Sequence, residues 1–483
     1  METKKKGIVG IETRSIDYIP KEERYGHPRS QFYIWFGSNM TVLAVATGAF
    51  APSLGLNLAW SILAIVIGLL CGGVFMALHS AQGPHLGIPQ MIQSRAQFGI
   101  KGAVIPLILA IVLFLGFYCS TIYFGAQTLA PLNVPMPVAI IIAGIITLLI
   151  GIYGYEAIHR VEKFSSYLAA VVFLVVTVFA LSLPIPAGNL SFGSVNIGSF
   201  LLAVSVYATY LITAAPYVAD YSRYLPEDTS ISASFWYTYL GGVIASIWMC
   251  SLGAFLFVAI PDFASNSAVS IANVWVLPLP IIVFATMVIT ATCSSTLSLY
   301  GTFMATVTTF EPFTKLRGNK QSKIIIMLIT TLVAILIDVL GAGNVIAQWG
   351  YFMAIILYFM IPWTCINLVD YYFVRKGNYS MKDIFDPKGI YGSYNWKSLI
   401  TYFATILVQI PFMNTVWYAG SLSKAMGGAD IAWIVGGIFA SVLYYVLNRD
   451  LAKESKWGQK SNESFSEELA YLKNAGIVEA ENA

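Results

Sequence analysis

Segments of roughly 20 apolar residues recur from one end of this chain to the other, and that repetition constrains everything else. A helix of about that length crosses the hydrocarbon core of a bilayer, and a soluble core rarely calls for so many. About twelve such segments are expected, near 33–51, 58–78, 104–129, 137–155, 165–183, 199–219, 235–260, 277–300, 324–341, 349–373, 398–419 and 431–448. They read as helices, because a backbone in lipid must satisfy its own hydrogen bonds. The alternating pattern of barrel strands is absent. Only 11% of the 483 residues are charged, against about 25% in an ordinary soluble domain. With 57% hydrophobic residues there is too little polar surface to keep such a chain in water. The net charge of +3 gives no footing for a nucleic-acid partner. The expected surroundings are a lipid bilayer.

The basic residues orient the segments. With the N-terminus placed in the cytoplasm, all 27 Lys and Arg except Lys424 fall on the cytoplasmic side. They sit in the N-terminal stretch, at Arg95 and Lys101, Arg160 and Lys163, Arg223, Lys315 to Lys323, Arg375 to Lys397, and in the C-terminal stretch. That asymmetry is what the positive-inside rule demands, and a missed or extra helix would scramble it. The expectation is a multi-pass protein of the cell (plasma) membrane with an even number of crossings and both termini cytoplasmic. The first 32 residues carry no apolar core or small-residue cleavage site and read as a cytoplasmic tail.

The five cysteines, in apolar segments and without CxxC spacing, read as small buried hydrophobes rather than disulfides or metal ligands. His79 and His85 stand six apart in a Gly- and Pro-rich connection, a spacing open to a metal but more simply a polar flank.

Where the chemistry could lie follows from the cost of polarity in a membrane. "YVADYSRYLP" puts Asp220 and Arg223 at the cytoplasmic end of the sixth segment, where they mark a boundary and could brace an inner gate. Asp338, near the outer end of the ninth segment, is the one candidate for a partly buried acid, or else an interfacial aspartate. No chain of central carboxylates suggests a dedicated proton relay.

What the apolar segments do carry is breakers and hydroxyls. Gly37, Ser38 and Asn39 interrupt the first, as do Thr47, Gly48 and Pro52 further on. Pro216 interrupts the sixth and is expected to free the carbonyl of Ile212. Irregular backbone at membrane depth is tolerated where it is buried in protein or lines a cavity. Interrupted helices at matching positions of two halves point to a transporter site. The first and sixth segments are five apart, which fits two five-helix repeats with two helices added. Taken singly, each breaker is as readily a packing glycine or a tolerated kink. On the eighth segment Thr292, Ser295 and Thr296 share one face. Their hydroxyls are hard oxygen ligands for a small cation, or alternatively glue between helices. On the third, Phe117 and Thr121 lie one turn apart, an aromatic and a polar group suited to a flat heterocycle. No nucleophile–base set or metal cluster supports an enzyme.

Four longer stretches carry a resemblance: "IETRSIDYIPKEERYGHPRSQFYIWFGSN", "GIPQMIQSRAQFGIKG", "APYVADYSRYLP" and "IPWTCINLVDYYFVRKGNY". Together they resemble the nucleobase:cation symporter family 1, in its purine/cytosine/allantoin permease branch. The resemblance implies an all-α membrane protein with a LeuT-type fold. Its parts would be a tail (1–32), a first repeat (33–183), an inverted second repeat (199–373), two further helices (398–448) and a C-terminal tail (449–483). It implies import of a nucleobase or related flat heterocycle by alternating access, with Na⁺ or H⁺ as coupling ion and no other cofactor.

By the same resemblance Phe117 would stack on the substrate, Thr121 would stand where a polar-edge reader is usual, and Asn39 would serve from the first helix. Tyr207 or Tyr210 would supply the sixth-helix aromatic, with Thr213 beside the break, and Tyr300 would replace an asparagine. Ser295 and Thr296, with Thr292 and the first-helix backbone at Gly37 and Ser38, would hold Na⁺. Gly48, Pro216, Asp220 and Arg223 would serve helix breaking or gating. The competing expectation is an amino-acid or other small-metabolite symporter on the same fold, its substrate carboxylate held at the half-helix N-termini.

Overall fold

The computed structural model describes residues 18–153, 155–274, 280–314, 316, 319–341, 345–386 and 388–457, with backbone alone for 155–163 and Tyr153. Each of the twelve expected segments contains a helix. In chain order they are Arg29–Ser38 with Val42–Gly48, Leu58–Ser80, Val104–Gln127, Met136–Tyr153, Tyr155–Ala180 and Ile197–Ile212 with Val218–Ser222. Then come Ile231–Ala259, Pro280–Phe310, Lys320–Leu340, Val345–Val369, Trp396–Gln409 and Ala432–Leu447. Among the described residues six helices are long and apolar enough to cross a bilayer, or seven when the bent first pair counts as one span. Shorter apolar helices make up the fourth, fifth, sixth and twelfth. The outer face of the ninth helix bears exposed Ile329, Leu332 and Leu336, as a lipid-facing surface should.

Several boundaries move for identifiable reasons. The eighth helix runs to Phe310, beyond the expected end near 300, because Thr302, Thr306 and Thr309 donate their hydroxyls to carbonyls four residues back. Polarity there did not end the helix, since it was absorbed within it. The eleventh stops at Gln409, where Pro411 forces a tight turn over Ile410–Phe412. The first begins at Arg29, and residues 18–28 fold onto the body rather than trailing away. Tyr18 and Ile19 are buried, Ile19 N–H donates to the Gly87 carbonyl at 2.9 Å, and Lys21 pairs with Glu227. The two histidines are likewise in helices, not in a loop. His79 closes the second helix, stacked on Trp363 with Nε2 2.7 Å from Thr364 Oγ1. His85 lies in the short helix Gln82–Leu86, hydrogen-bonded to Tyr371.

Helix pairings recur with a shift of five. The second packs on the sixth, and correspondingly the seventh on the first. The first meets the fifth as the sixth meets the tenth; the third meets the ninth as the eighth meets the fourth; the third meets the tenth as the eighth meets the fifth. Two repeats of five helices would pack this way, and an odd shift reverses the direction of each crossing. The closest crossings use glycine. A Cβ on Gly48 of the first helix would overlap the Cys250 carbonyl, and one on Gly253 of the seventh would overlap the Val45 carbonyl. Such backbone-to-backbone approach is how membrane helices gain contact without a hydrophobic driving force.

At the end that carries residues 18–28 and 449–457 a polar network ties the elements together. Asp370, fully buried, accepts from Tyr379 Oη at 2.7 Å, Tyr444 Oη at 2.8 Å and Gln97 Nε2 at 3.2 Å, and pairs with Arg375 at 3.2 Å. Burial, with the Asp370 charge adding to it, pushes the Tyr379 phenol well above its ordinary value, so it remains a donor.

Candidate substrate and ion site

The site begins with the break in the first helix. Gly37 lies so close to Ser166 of the fifth helix that no side chain would fit. The helix ends at Ser38, and Asn39 turns its Nδ2 back to the Trp35 carbonyl at 2.7 Å. Thr41 then restarts it, its Oγ1 accepting from Ala44 N–H at 3.2 Å as an N-cap. The two halves meet at 70°.

The sixth helix breaks beside it. It ends at Ile212 and resumes at Val218. The carbonyl of Ile212 is not free, contrary to expectation: Ala215 N–H donates to it at 2.9 Å. Pro216 cannot supply the usual donor, so the chain tightens and the residue before it does. Thr213 is buried, its hydroxyl donating to the Tyr210 carbonyl at 2.8 Å. Tyr210 reaches the side chain of Thr41, so the two breaks touch.

Tyr207 is placed differently. Its hydroxyl donates to the Gly48 carbonyl at 2.9 Å and accepts from Ala51 N–H at 3.1 Å. Its ring is fully buried. It pins the second half of the first helix to the sixth, which leaves Tyr210 as the tyrosine at the breaks.

Phe117 is half-buried on the third helix, with Trp349 edge-on to it at 4.9 Å and 89°. Trp349 also donates Nε1 to Thr47 Oγ1 at 2.9 Å and stacks on Phe352. Thr121 is buried and gives its hydroxyl to the Phe117 carbonyl at 2.8 Å, leaving its lone pairs to accept. Tyr300 turns toward the ninth helix, where Lys323 Nζ lies 5.6 Å over its ring.

A second aromatic group lies nearer the termini. Tyr217, directly after Pro216, meets Trp35 at 5.7 Å and Phe114 at 5.4 Å, and Tyr221 stands on Trp35 at 5.5 Å. The breaks therefore lie between two aromatic layers. Trp349, Trp35 and Tyr217 were not singled out from sequence, although an aromatic next to a helix-breaking proline was a usable signal for Tyr217.

The expected cation residues lie on the first and eighth helices. Ser295 and Thr296 give their hydroxyls to the carbonyls of Ala291 and Thr292 at 2.7 and 2.8 Å. Thr296 turns its methyl toward Gly151 of the fourth helix. Ser38 Oγ lies 3.3 Å from the Trp35 carbonyl. No hydrogen bond among the described residues joins the Gly37–Ser38 backbone to this face, and the fifth helix packs against both.

At the gate end, Asp220 Oδ1 accepts from Gln90 N–H at 2.7 Å, and the Arg223 guanidinium lies over Tyr224 at 5.2 Å. Asp338 is partly buried and lines a cavity of about 280 Å³ between the third, ninth and tenth helices.

The chain is similar to known proteins over most of its length. Residues 18–436 match the family described as "Permease for cytosine/purines, uracil, thiamine, allantoin". The chain is 46% identical over 450 residues to the "Putative purine-cytosine permease YxlA" of Bacillus subtilis (strain 168), covering 92% of this chain and 97% of that protein. It is 26% identical to the purine-cytosine permease fcyB of Emericella nidulans, over 91% of this chain and 88% of that one. Its fold is similar to that of Mhp1, a nucleobase-cation-symport-1 family transporter solved in a closed conformation with bromovinylhydantoin bound. The TM-score is 0.72 at 20% identity, covering 96% of this chain and 100% of the other.

Proposed function

Since the chain belongs to the family of permeases for cytosine/purines, uracil, thiamine and allantoin, we propose that it imports a nucleobase, purine or cytosine in type, by cation symport. The observation that carries the reading is the likeness to a purine-cytosine permease over 97% of that protein's length. The family is one of transporters, not enzymes. The chain is a multi-pass membrane protein, and the basic-residue asymmetry supports a plasma-membrane orientation with both termini cytoplasmic.

In this reading the heterocycle lies at the paired breaks. It stacks on Phe117, with Tyr210, Asn39 and the lone pairs of Thr121 supplying polar contacts. Alternating access exchanges which aromatic layer is parted. Trp349 and Phe352 cover the site on one side, and Trp35, Tyr217 and Phe114 on the other. The coupling cation, Na⁺ or H⁺, shifts the population toward the state that binds substrate well.

Uptake of radiolabelled cytosine, competed by unlabelled cytosine, adenine, allantoin and amino acids, tests this. Competition by nucleobases is expected. Competition by amino acids alone overturns it.

A further inference from the structure

The cavity beside the third helix holds a carboxylate that the transport reading above does not use. Its lining includes Asp338, Cys119, Ser120, Tyr123, Gln348 and Trp349. Asp338 Oδ2 is buried and meets no hydrogen-bond donor among the described residues. A buried carboxylate oxygen without a donor leaves its charge uncompensated, and a proton or a cation completes it.

The groups that face Asp338 offer no alternative. The third helix brings Tyr118, Cys119 and Tyr123, with the Tyr118 hydroxyl 2.9 Å from Thr331 Oγ1 on Asp338's own helix. The tenth brings uncharged Gln348 and Trp349. The described side chains of the fourth helix include no titratable group. The eighth carries Cys293 and Tyr300, and Tyr300 sits at Lys323, toward the other end of the ninth helix. No Lys, Arg or His faces the cavity among the described residues. The lining is mostly apolar, so a metal ion would lack the several oxygens it needs, whereas a proton needs one acceptor.

The cavity wall is shared with the substrate region. Trp349 lines it, stands edge-on to Phe117 and donates to Thr47 of the first helix. Resting on the nucleobase reading, we propose that Asp338 is a proton-binding site coupled to substrate binding through Trp349. One O–H bond forms on Asp338 as one breaks on a hydronium ion from the solution at the end opposite residues 18–28, which leaves as water. With Asp338 neutral the cavity stays dry and Trp349 seats over Phe117. With Asp338 ionised the cavity draws in water and the seat loosens. By linkage, bound substrate then raises proton occupancy at Asp338 by the same factor that the proton raises substrate affinity.

The test uses the full-length purified protein in detergent, with calorimetry of cytosine and adenine binding in weakly buffered solution containing a pH indicator. The wild type should take up about half a proton per bound nucleobase near the middle of the range, and affinity should fall about ten-fold between about pH 5 and about pH 8. Asp338→Asn should bind with neither proton uptake nor pH dependence, and Asp338→Glu should restore both. A melting curve of each variant shows that it is folded. Nucleobase binding without proton uptake in the wild type, or an Asp338→Asn protein that still takes up the proton, overturns the proposal and leaves the transport reading standing. Absence of any nucleobase binding overturns the transport reading and the proposal with it.

Discussion

At the scale of single residues, the third helix was readable and the sixth was not. Phe117 and Thr121 sit one turn apart on an unbroken helix, so spacing alone placed them on one face. Phe117→Ala should raise the KM for cytosine about ten-fold or more, from the roughly 1–3 kcal/mol of base–aromatic stacking, while Phe117→Tyr should keep most of the affinity. Uptake kinetics decide this, and an unchanged KM would remove Phe117 from the site. Tyr207 and Tyr210 could not be separated from sequence, because which of them faces the break depends on how the chain turns after Ile212. The structure commits Tyr207 to the Gly48 carbonyl and the Ala51 N–H. Tyr207→Phe leaves both buried backbone groups short of a partner and should cost about 1–3 kcal/mol. It should lower the melting temperature in detergent more than it changes KM.

At the scale of elements, the breaks were legible and their hydrogen bonding was not. Gly37-Ser38-Asn39 marked the first break because glycine followed by small polar residues weakens a helix in lipid. The fate of the Ile212 carbonyl was beyond the pattern, since a proline says which donor is missing but not which neighbour replaces it. Pro216→Ala restores the missing N–H and lets the sixth helix run through. The removed penalty is about 3 kcal/mol, so turnover should drop several-fold or more with nucleobase affinity kept. Comparing equilibrium binding with Vmax reads this directly. Gly48→Ala pushes a methyl into the Cys250 carbonyl, backbone against helix, where neither side can give. It should destabilise by at least about 1–3 kcal/mol and show as lost membrane expression. The eighth-helix hydroxyls were legible as a face but not in their neighbours. Hydroxyls spaced along a helix say which face they share but not which neighbour that face meets, and here Thr296 meets the fourth helix.

At the scale of the whole molecule, composition and the recurrence of apolar segments were enough for the all-helical membrane class. The five-helix spacing of the two broken segments suggested the repeat, and the helix pairings are consistent with it. What sequence could not show is the buried polar network that ties one end of the bundle. The terminus-bearing end is tied by Asp370 with Tyr379, Tyr444, Gln97 and Arg375. Asp370→Ala strands Arg375 and should cost about 3–5 kcal/mol. Thiol labelling of a cysteine introduced at Tyr217 should then speed up from that side, and unchanged labelling would dissociate the network from opening.

Aromatic rings cover the breaks on both sides, Trp349 on Phe117 and Phe352 on one and Tyr217 on Trp35 and Phe114 on the other. Parting rings exposes apolar surface and carries a large positive heat capacity, whereas parting a hydrogen-bonded network exposes polar surface and does not. The ring layers therefore weaken on cooling relative to the polar network. Every turnover parts one ring layer or the other, so an Arrhenius plot of transport should bend rather than run straight.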